Sequence, residues 1–449
     1  MTRTTIVGGA SAIAILLVLL ALATGHQALE QDDNFVATNP PASNEAALEA
    51  NESFLYGRIA TDGGTSYEGR LRWGGAEEAF WGDYFNGFKK ENPWVVHIPP
   101  ERLSERRPLE ILGVKIAQWE SQIDFGRPFM ARFGDIARIE ANGRDLRVTL
   151  KSGTVFHLDR FAADDFADGV RVWDVRSGVV DLDEWQIRSI ELLPSARPVA
   201  AAVRLHGTVR TRQGNFTGFV QWNREKGVGS DALDGHTTDG ELSLRFDTIR
   251  SIARESRDSS LVTLLDGRET VLSGTREAGH GNRGIYVDDR RYGRVLVSWD
   301  AFERVDFSPG GNGPAYDDFP PGRPLAGHVT TRAGRRLAGR LVYDLDESEI
   351  TETLDAPSQG VDYTIPFGLI ASIVLSNREE PAVQRGRPRV TLHSGEELQL
   401  ESTGDLGEGN GGMLIFVDGR EAPEYVLWTN VQQIDLDRPA AMYPPLGER

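Results

Sequence analysis

The chain has 449 residues and no cysteine, with 67 acidic against 49 basic side chains and a formal charge of −18. Nucleic-acid binding draws most of its affinity from Lys and Arg neutralising phosphates, so this balance argues against nucleic acid as a partner. Without cysteine there is no disulfide framework, thiolate metal site or lipid-bearing cysteine, and several ordinary hydrophobic cores must hold the fold.

Residues 1–23 read as a signal peptide or an N-terminal anchor. Arg3 gives a positive start, 6–25 carries no charge, and Ala21, Leu22 and Ala23 supply the small-residue spacing a signal peptidase cuts. Uncleaved, a stretch of that length can span a bilayer. Both outcomes put the body outside the cytoplasm, periplasmic or secreted, and tethered to the inner membrane where the segment is retained. Residues 24–53 hold no Lys or Arg, several acids and Pro40-Pro41. That composition predicts an acidic disordered linker.

From residue 54 the chain repeats itself. Gly57, Ile59, Thr61, Gly64, Tyr67, Gly69, Leu71 and Trp73 match Gly207, Val209, Thr211, Gly214, Phe216, Gly218, Val220 and Trp222. A third set follows as Gly327, Val329, Thr331, Gly334, Leu337, Gly339, Leu341 and Tyr343. Alternation on both sides of a turn glycine predicts a β-hairpin. Each copy continues with apolar residues three apart: Phe133, Ile136 and Ile139; Phe246, Ile249 and Ile252; Phe367, Ile370 and Ile373. That spacing predicts one 3₁₀ or helical turn leading into a strand. A Val-Thr-Leu strand comes next, at Val148, Val262 and Val390, and then strands ending in Asp174, Asp288 and Asp418. The copies close on Ile187 and Ile190, Phe302 and Val305, and Val431 and Ile434.

The expected fold is all-β, with repeats over 54–193, 204–308 and 324–437. Each repeat has two halves that run short strands into an apolar turn. That layout, and the opening hairpin in particular, resembles SH3-like and Sm-like small barrels. The resemblance implies two small barrel halves per repeat; one β-sandwich per repeat is the alternative. Residues 193–203 and 308–325, rich in Pro, Ala or Gly, read as linkers, and 438–449 as a loose tail.

Gly57 to Val148 is a longer stretch than Gly207 to Val262 or Gly327 to Val390, so an insertion sits near 88–124 of the first repeat. Long loops on a rigid scaffold are where function tends to lie. Phe80, Trp81, Tyr84, Phe85, Phe88 and Trp94 crowd its start and Trp119 lies near its end, whereas 227–235 and 347–356 hold no aromatic residue. Exposed rings bury much area with few rotors, so these seven are the candidate binding residues; the competing assignment is the insertion's own core.

Catalytic signatures are absent. Gly279, Gly281 and Gly284 spell GxGxxG, but Ile285, Tyr286 and Val287 after them read as a strand, where a dinucleotide fingerprint needs a helix. The histidines are scattered, with no HExxH spacing. No cofactor is expected. Calcium is the minor alternative, at loops carrying Asp164, Asp165 and Asp168 or Asp405 and Glu408. The leading expectation is a non-catalytic envelope protein that binds a protein or polysaccharide through the first-repeat insertion. A carboxylate-based hydrolase of envelope polymers and a purely structural spacer are the alternatives.

Overall fold

A computed structural model describes residues 52–74, 77–99, 108–111, 114–118, 127–195, 203–311, 313–376 and 386–439. The export segment, nearly all of the acidic linker, the end of the tail and Trp119 lie outside the described residues. No helix among the described residues is long and apolar enough to cross a membrane.

The chain is all-β, as its alternation predicts. The first run of strands is β1 (Tyr56–Thr61), β2 (Ser66–Trp73), β3 (Tyr84–Phe88), β4 (Pro108–Ile111), β5 (Val114–Gln118) and β6 (Pro128–Arg132). It continues as β7 (Ile136–Asn142), β8 (Asp145–Leu150), β9 (Val155–Asp159), β10 (Val170–Asp174), β11 (Gly178–Leu182) and β12 (Ile187–Leu192). The second run is β13 (His206–Thr211), β14 (Gly214–Gln221), β15 (Ala232–Thr237), β16 (Gly240–Arg245), β17 (Ile249–Arg254), β18 (Ser259–Leu264), β19 (Glu269–Ser273), β20 (Ile285–Asp289), β21 (Gly293–Val297) and β22 (Phe302–Phe307). The third is β23 (Ala326–Thr331), β24 (Arg336–Val342), β25 (Thr353–Ser358), β26 (Val361–Pro366), β27 (Ile370–Val374), β28 (Arg389–Leu392), β29 (Glu397–Gln399), β30 (Met413–Phe416), β31 (Glu424–Val426) and β32 (Val431–Leu436).

The first sheet is ordered β9-β8-β7-β12-β1-β2-β10-β11 and the third β29-β28-β27-β32-β23-β24-β30-β31. The twelve-stranded second sheet contains the corresponding order β19-β18-β17-β22-β13-β14-β20-β21, with β16 and β15 added at one end and β26 and β25 at the other. In the first run the corresponding hairpin is β3 with β6, and the insertion between them carries the two-stranded β4–β5.

Two features of the sequence pattern find their cause here. Apolar residues three apart do begin on a 3₁₀ turn, at Phe133–Asp135, Phe246–Thr248 and Phe367–Leu369. Their second and third members, however, lie within one strand. A register shift between Ile136 and Arg138, Ile249 and Ser251, and Ile370 and Ser372 inserts one residue, so both isoleucines face the core. The spacing is therefore a β-bulge. The paired glycines mark close backbone approach. A Cβ on Gly69, Gly218 or Gly339 would fall on the carbonyl oxygen of Trp173, Asp288 or Phe416. A Cβ on Gly57, Gly207 or Gly327 would fall on that of Glu191, Asp306 or Asp435.

Those same contacts correct the alignment of the acid-ending strands. Gly69 pairs with Asp174 and Gly218 with Asp289, so Asp288 corresponds to Trp173 and not to Asp174. Asp174 and Asp289 accept from the N–H of Glu68 and Thr217, both at 2.8 Å.

The segment 308–325, expected as a spacer, packs back onto the first core. Tyr316 and Phe319 are buried there against Phe80 and Trp81. The Tyr316 hydroxyl donates to the Ile136 carbonyl at 2.9 Å, and Lys151 Nζ donates to the Phe319 carbonyl at 3.1 Å.

Candidate functional site

Of the insertion aromatics, Phe80, Trp81, Tyr84 and Phe85 are buried, so none of these rings presents a contact surface. Phe88 is 36% exposed. Trp94 is half-buried, edge-on to Phe416 with centroids 5.7 Å apart and beside the Arg340 guanidinium. One of the buried rings, Phe85, takes a place that a tryptophan fills in the other two runs. In the second and third runs the shared core aromatic, Trp222 or Tyr343, is met edge-on by Trp299 or Trp428. Those tryptophans stand three residues before Phe302 and Val431. The matching position in the first run is Glu184, and Trp73 is met edge-on by Phe85 of β3 instead, at 5.8 Å. Tyr84, buried beside Arg294, has its hydroxyl pushed up to about 12 by burial, against the pull of the Arg132 and Arg294 charges.

That exchange leaves Trp185 outside. It is 59% exposed, and Phe161 beside it is 48% exposed. Their centroids lie 5.7 Å apart at 46°. Two closed turns hold the rings. Asp159 accepts from the Phe161 N–H at 2.9 Å, and Asp183 and Gln186 each accept the other's backbone N–H at 3.0 Å on either side of Trp185. Arg160, only 5% exposed, lies beneath: it donates to the Gly143 and Glu184 carbonyls, with its guanidinium 5.1 Å from the Trp185 ring centre. Arg144 lies 5.4 Å from the centre of Phe161 with most of its side chain in solvent. The result is a tilted pair of rings on a rigid base, flanked by the hydrogen-bonding groups of Arg144, Asp183 and Gln186. Sequence reading passed over Trp185. The available signal was its offset by one residue from the Trp299 and Trp428 position.

Carboxylates are the other chemically loaded groups. In each run one acid caps the turn that follows the core aromatic. Asp83 accepts from the N–H of Glu78 and Ala79, Asp231 from Gly227 and Val228, and Glu352 from Ser348 and Glu349. Asp83 also accepts from Gln221 at 2.6 Å and Arg294 at 3.2 Å, and Arg294 reaches on to Asp288 at 3.1 Å. Elsewhere a pair of positions changes character. Lys226 stands 3.7 Å from Glu277 in the second run, whereas Glu77 faces Asp165 and Glu347 faces Asp405 in the others. Burial, then the Asp83 and Asp165 charges, pushes the Glu77 carboxyl up to about 7. Burial, then Asp355 and Asp344, does the same to Asp405. These acids can hold protons at neutral pH. Among the described residues, no group of three or more His, Asp or Glu side chains is arranged to hold a metal ion.

Gly279, Gly281 and Gly284 lie in a turn that leads into a strand, as the sequence predicts. Asn282 accepts from the Gly284 N–H at 2.8 Å and donates to the Glu277 carbonyl, and strand β20 follows. Asn410 repeats these contacts with Gly412 and Asp405. Compared with protein families, curated proteins and solved structures, the chain matches none.

Proposed function

We propose that the protein is a non-catalytic scaffold of the cell envelope that binds a polysaccharide through the Phe161–Trp185 ring pair. On this reading the chain is exported by residues 1–23. Its body is three diverged repeats, over 54–193, 204–308 and 324–437, each built of two SH3-like or Sm-like halves. The recurring strand order and the matching bulges and glycine contacts support the repeats. The single observation carrying the binding role is an exposed, braced ring pair in the one run whose core takes its edge-packed ring from elsewhere. Tilted aromatic faces with polar groups at their rim suit the apolar faces and hydroxyl edges of sugars.

Retention on insoluble envelope polysaccharide tests it. Trp185→Ala and Phe161→Ala should each weaken retention by about tenfold, since a well-packed contact aromatic is commonly worth more than 1 kcal/mol, with unfolding unchanged. Equal retention of both variants refutes the assignment, and capture of a protein in place of glycan redirects it. The carboxylate-hydrolase alternative rests on Asp405, whose raised carboxyl adjoins Asp355. Release of reducing ends that disappears in Asp405→Asn would favour it.

A further inference from the structure

We infer that two copies of this chain associate by antiparallel pairing of β16 with itself, joining their twelve-stranded sheets about a twofold axis. Strand β16 ends its sheet, and its residues are exposed except for Leu242 and Leu244, half-buried against the core. Its hairpin turn, Thr238-Asp239, has only two residues, with Thr237 opposite Gly240. So short a loop places Thr237 and Gly240 in the hydrogen-bonded phase of the ladder, and the Phe246 N–H, donating to the Asp231 carbonyl at 3.0 Å, fixes the same phase at the other end of the hairpin. Alternation then makes Gly235–Leu242 and Leu233–Leu244 the bonded pairs. The N–H and C=O groups of Glu241, Ser243 and Arg245 therefore point out of the sheet.

Put Ser243 on the axis, and the register resolves itself. Ser243 meets the partner's Ser243, and Glu241 meets the partner's Arg245 on both sides of the axis. These three are the positions whose backbone groups face outward, so the hydrogen-bonding phase and the charge pairing agree in one register. Leu242 lies opposite the partner's Leu244, which continues the half-buried apolar row. Arg245 already bonds Asp247 in its own chain; its five N–H donors leave room for a second carboxylate.

The chain itself supplies the precedent. The corresponding outer strand of the third run, β26, pairs its outer edge with β21, Arg294 opposite Thr364 through Val297 opposite Val361. Strand β16 is the same element left open. Edges are usually blunted by shortness, proline, lysine or a bulge. The other end of this sheet, β25, carries Pro357, and the edges of the third sheet, β29 and β31, have three residues each. Strand β16 has six residues and no proline or lysine.

Sedimentation equilibrium on protein purified after expression of the full chain tests this. The wild type should show a monomer–dimer equilibrium. Ser243→Pro removes an outward N–H without breaking the hairpin ladder, so it should be monomeric with an unchanged unfolding curve. Should that proline disturb the hairpin, charge reversal decides. Glu241→Arg and Arg245→Glu should each weaken the dimer by about tenfold by placing like charges opposite one another twice, and the double variant should restore it. Ser243→Cys, the sole thiol in the chain, should cross-link two copies on oxidation. A wild type that stays monomeric at the highest attainable concentration overturns the inference, as does a dimer indifferent to these changes.

Discussion

Lys89→Met should destabilise the protein by about 3–5 kcal/mol, the usual cost of removing one partner from a buried ion pair. Lys89 is 5% exposed. Its ammonium donates to Asp346 at 3.0 Å and to Glu352 at 3.1 Å. Burial alone would lower its pKa, but Glu352, Asp346 and Glu347 together outweigh that and raise it, so it is charged at all ordinary pH. Methionine keeps the unbranched stem and removes only the charge and its donors. The two acids then remain out of water, beside Glu347, without their shared cation. Burial already raises the Asp346 carboxyl against the Lys89 charge, and without the lysine it should rise further. Protonation of Asp346 then becomes the escape, so the defect should be largest near pH 8 and shrink towards pH 5. Urea unfolding at the two pH values measures it. A loss under about 1 kcal/mol at pH 8, within the range of an exposed pair, would refute the claim that Lys89 ties the first run to the third. So would a defect that does not change with pH.

The unmutated protein also carries a pH signature. Glu77 and Asp405 are each raised to about 7 in the fold, above the ordinary carboxylate range they have when unfolded. Their contribution is full below about pH 4 and is lost as pH rises through 7. Each should cost about 3–4 kcal/mol by pH 8, since every tenfold change in proton affinity between the folded and unfolded chain is worth about 1.4 kcal/mol. Glu77→Gln and Asp405→Asn should flatten that fall, and unchanged urea midpoints between pH 5 and 8 would count against both assignments. Gly218→Ala should cost several kcal/mol, because the new methyl meets the rigid Asp288 carbonyl. Gly64→Ala meets open space at φ +82° and should cost only about 1–2 kcal/mol. Phe319→Ala should cost about 3–5 kcal/mol, as a buried phenylalanine does, and melt the first run before the others; equal melting would mean that 308–325 is the spacer its composition suggests.

Much of the fold was legible because its constraints are local. Alternation places the strands, and Gly57 and Gly69 recur because neighbouring carbonyls occupy the space of a Cβ. Apolar residues three apart were harder. A turn and a bulge both put Ile136 and Ile139 on one face, and only the pairing partner tells them apart. What composition could not carry is long-range. The Gly- and Pro-rich stretch around Tyr316 reads as a linker, yet two of its rings join Phe219 in completing a core built mainly from residues 55–192.

The candidate site shows the same division at the level of one ring. Crowded aromatics in an insertion fit either a binding surface or a core, and density alone cannot choose. Position can. An edge-packed ring is needed against Trp222 and Tyr343, and Trp299 and Trp428 supply it from a fixed place before the last strand. With Glu184 in that place, the first run must find its ring elsewhere, and β3, the strand before the insertion, provides Phe85. Phe85 is thus compensation for a missing core tryptophan, while Phe80 and Trp81 pack on Tyr316 and Phe319. The tryptophan one residue on, Trp185, is free of that duty. An exposed tryptophan braced by a buried arginine adds nothing to a core, which is why the search for a partner belongs at Phe161 and Trp185.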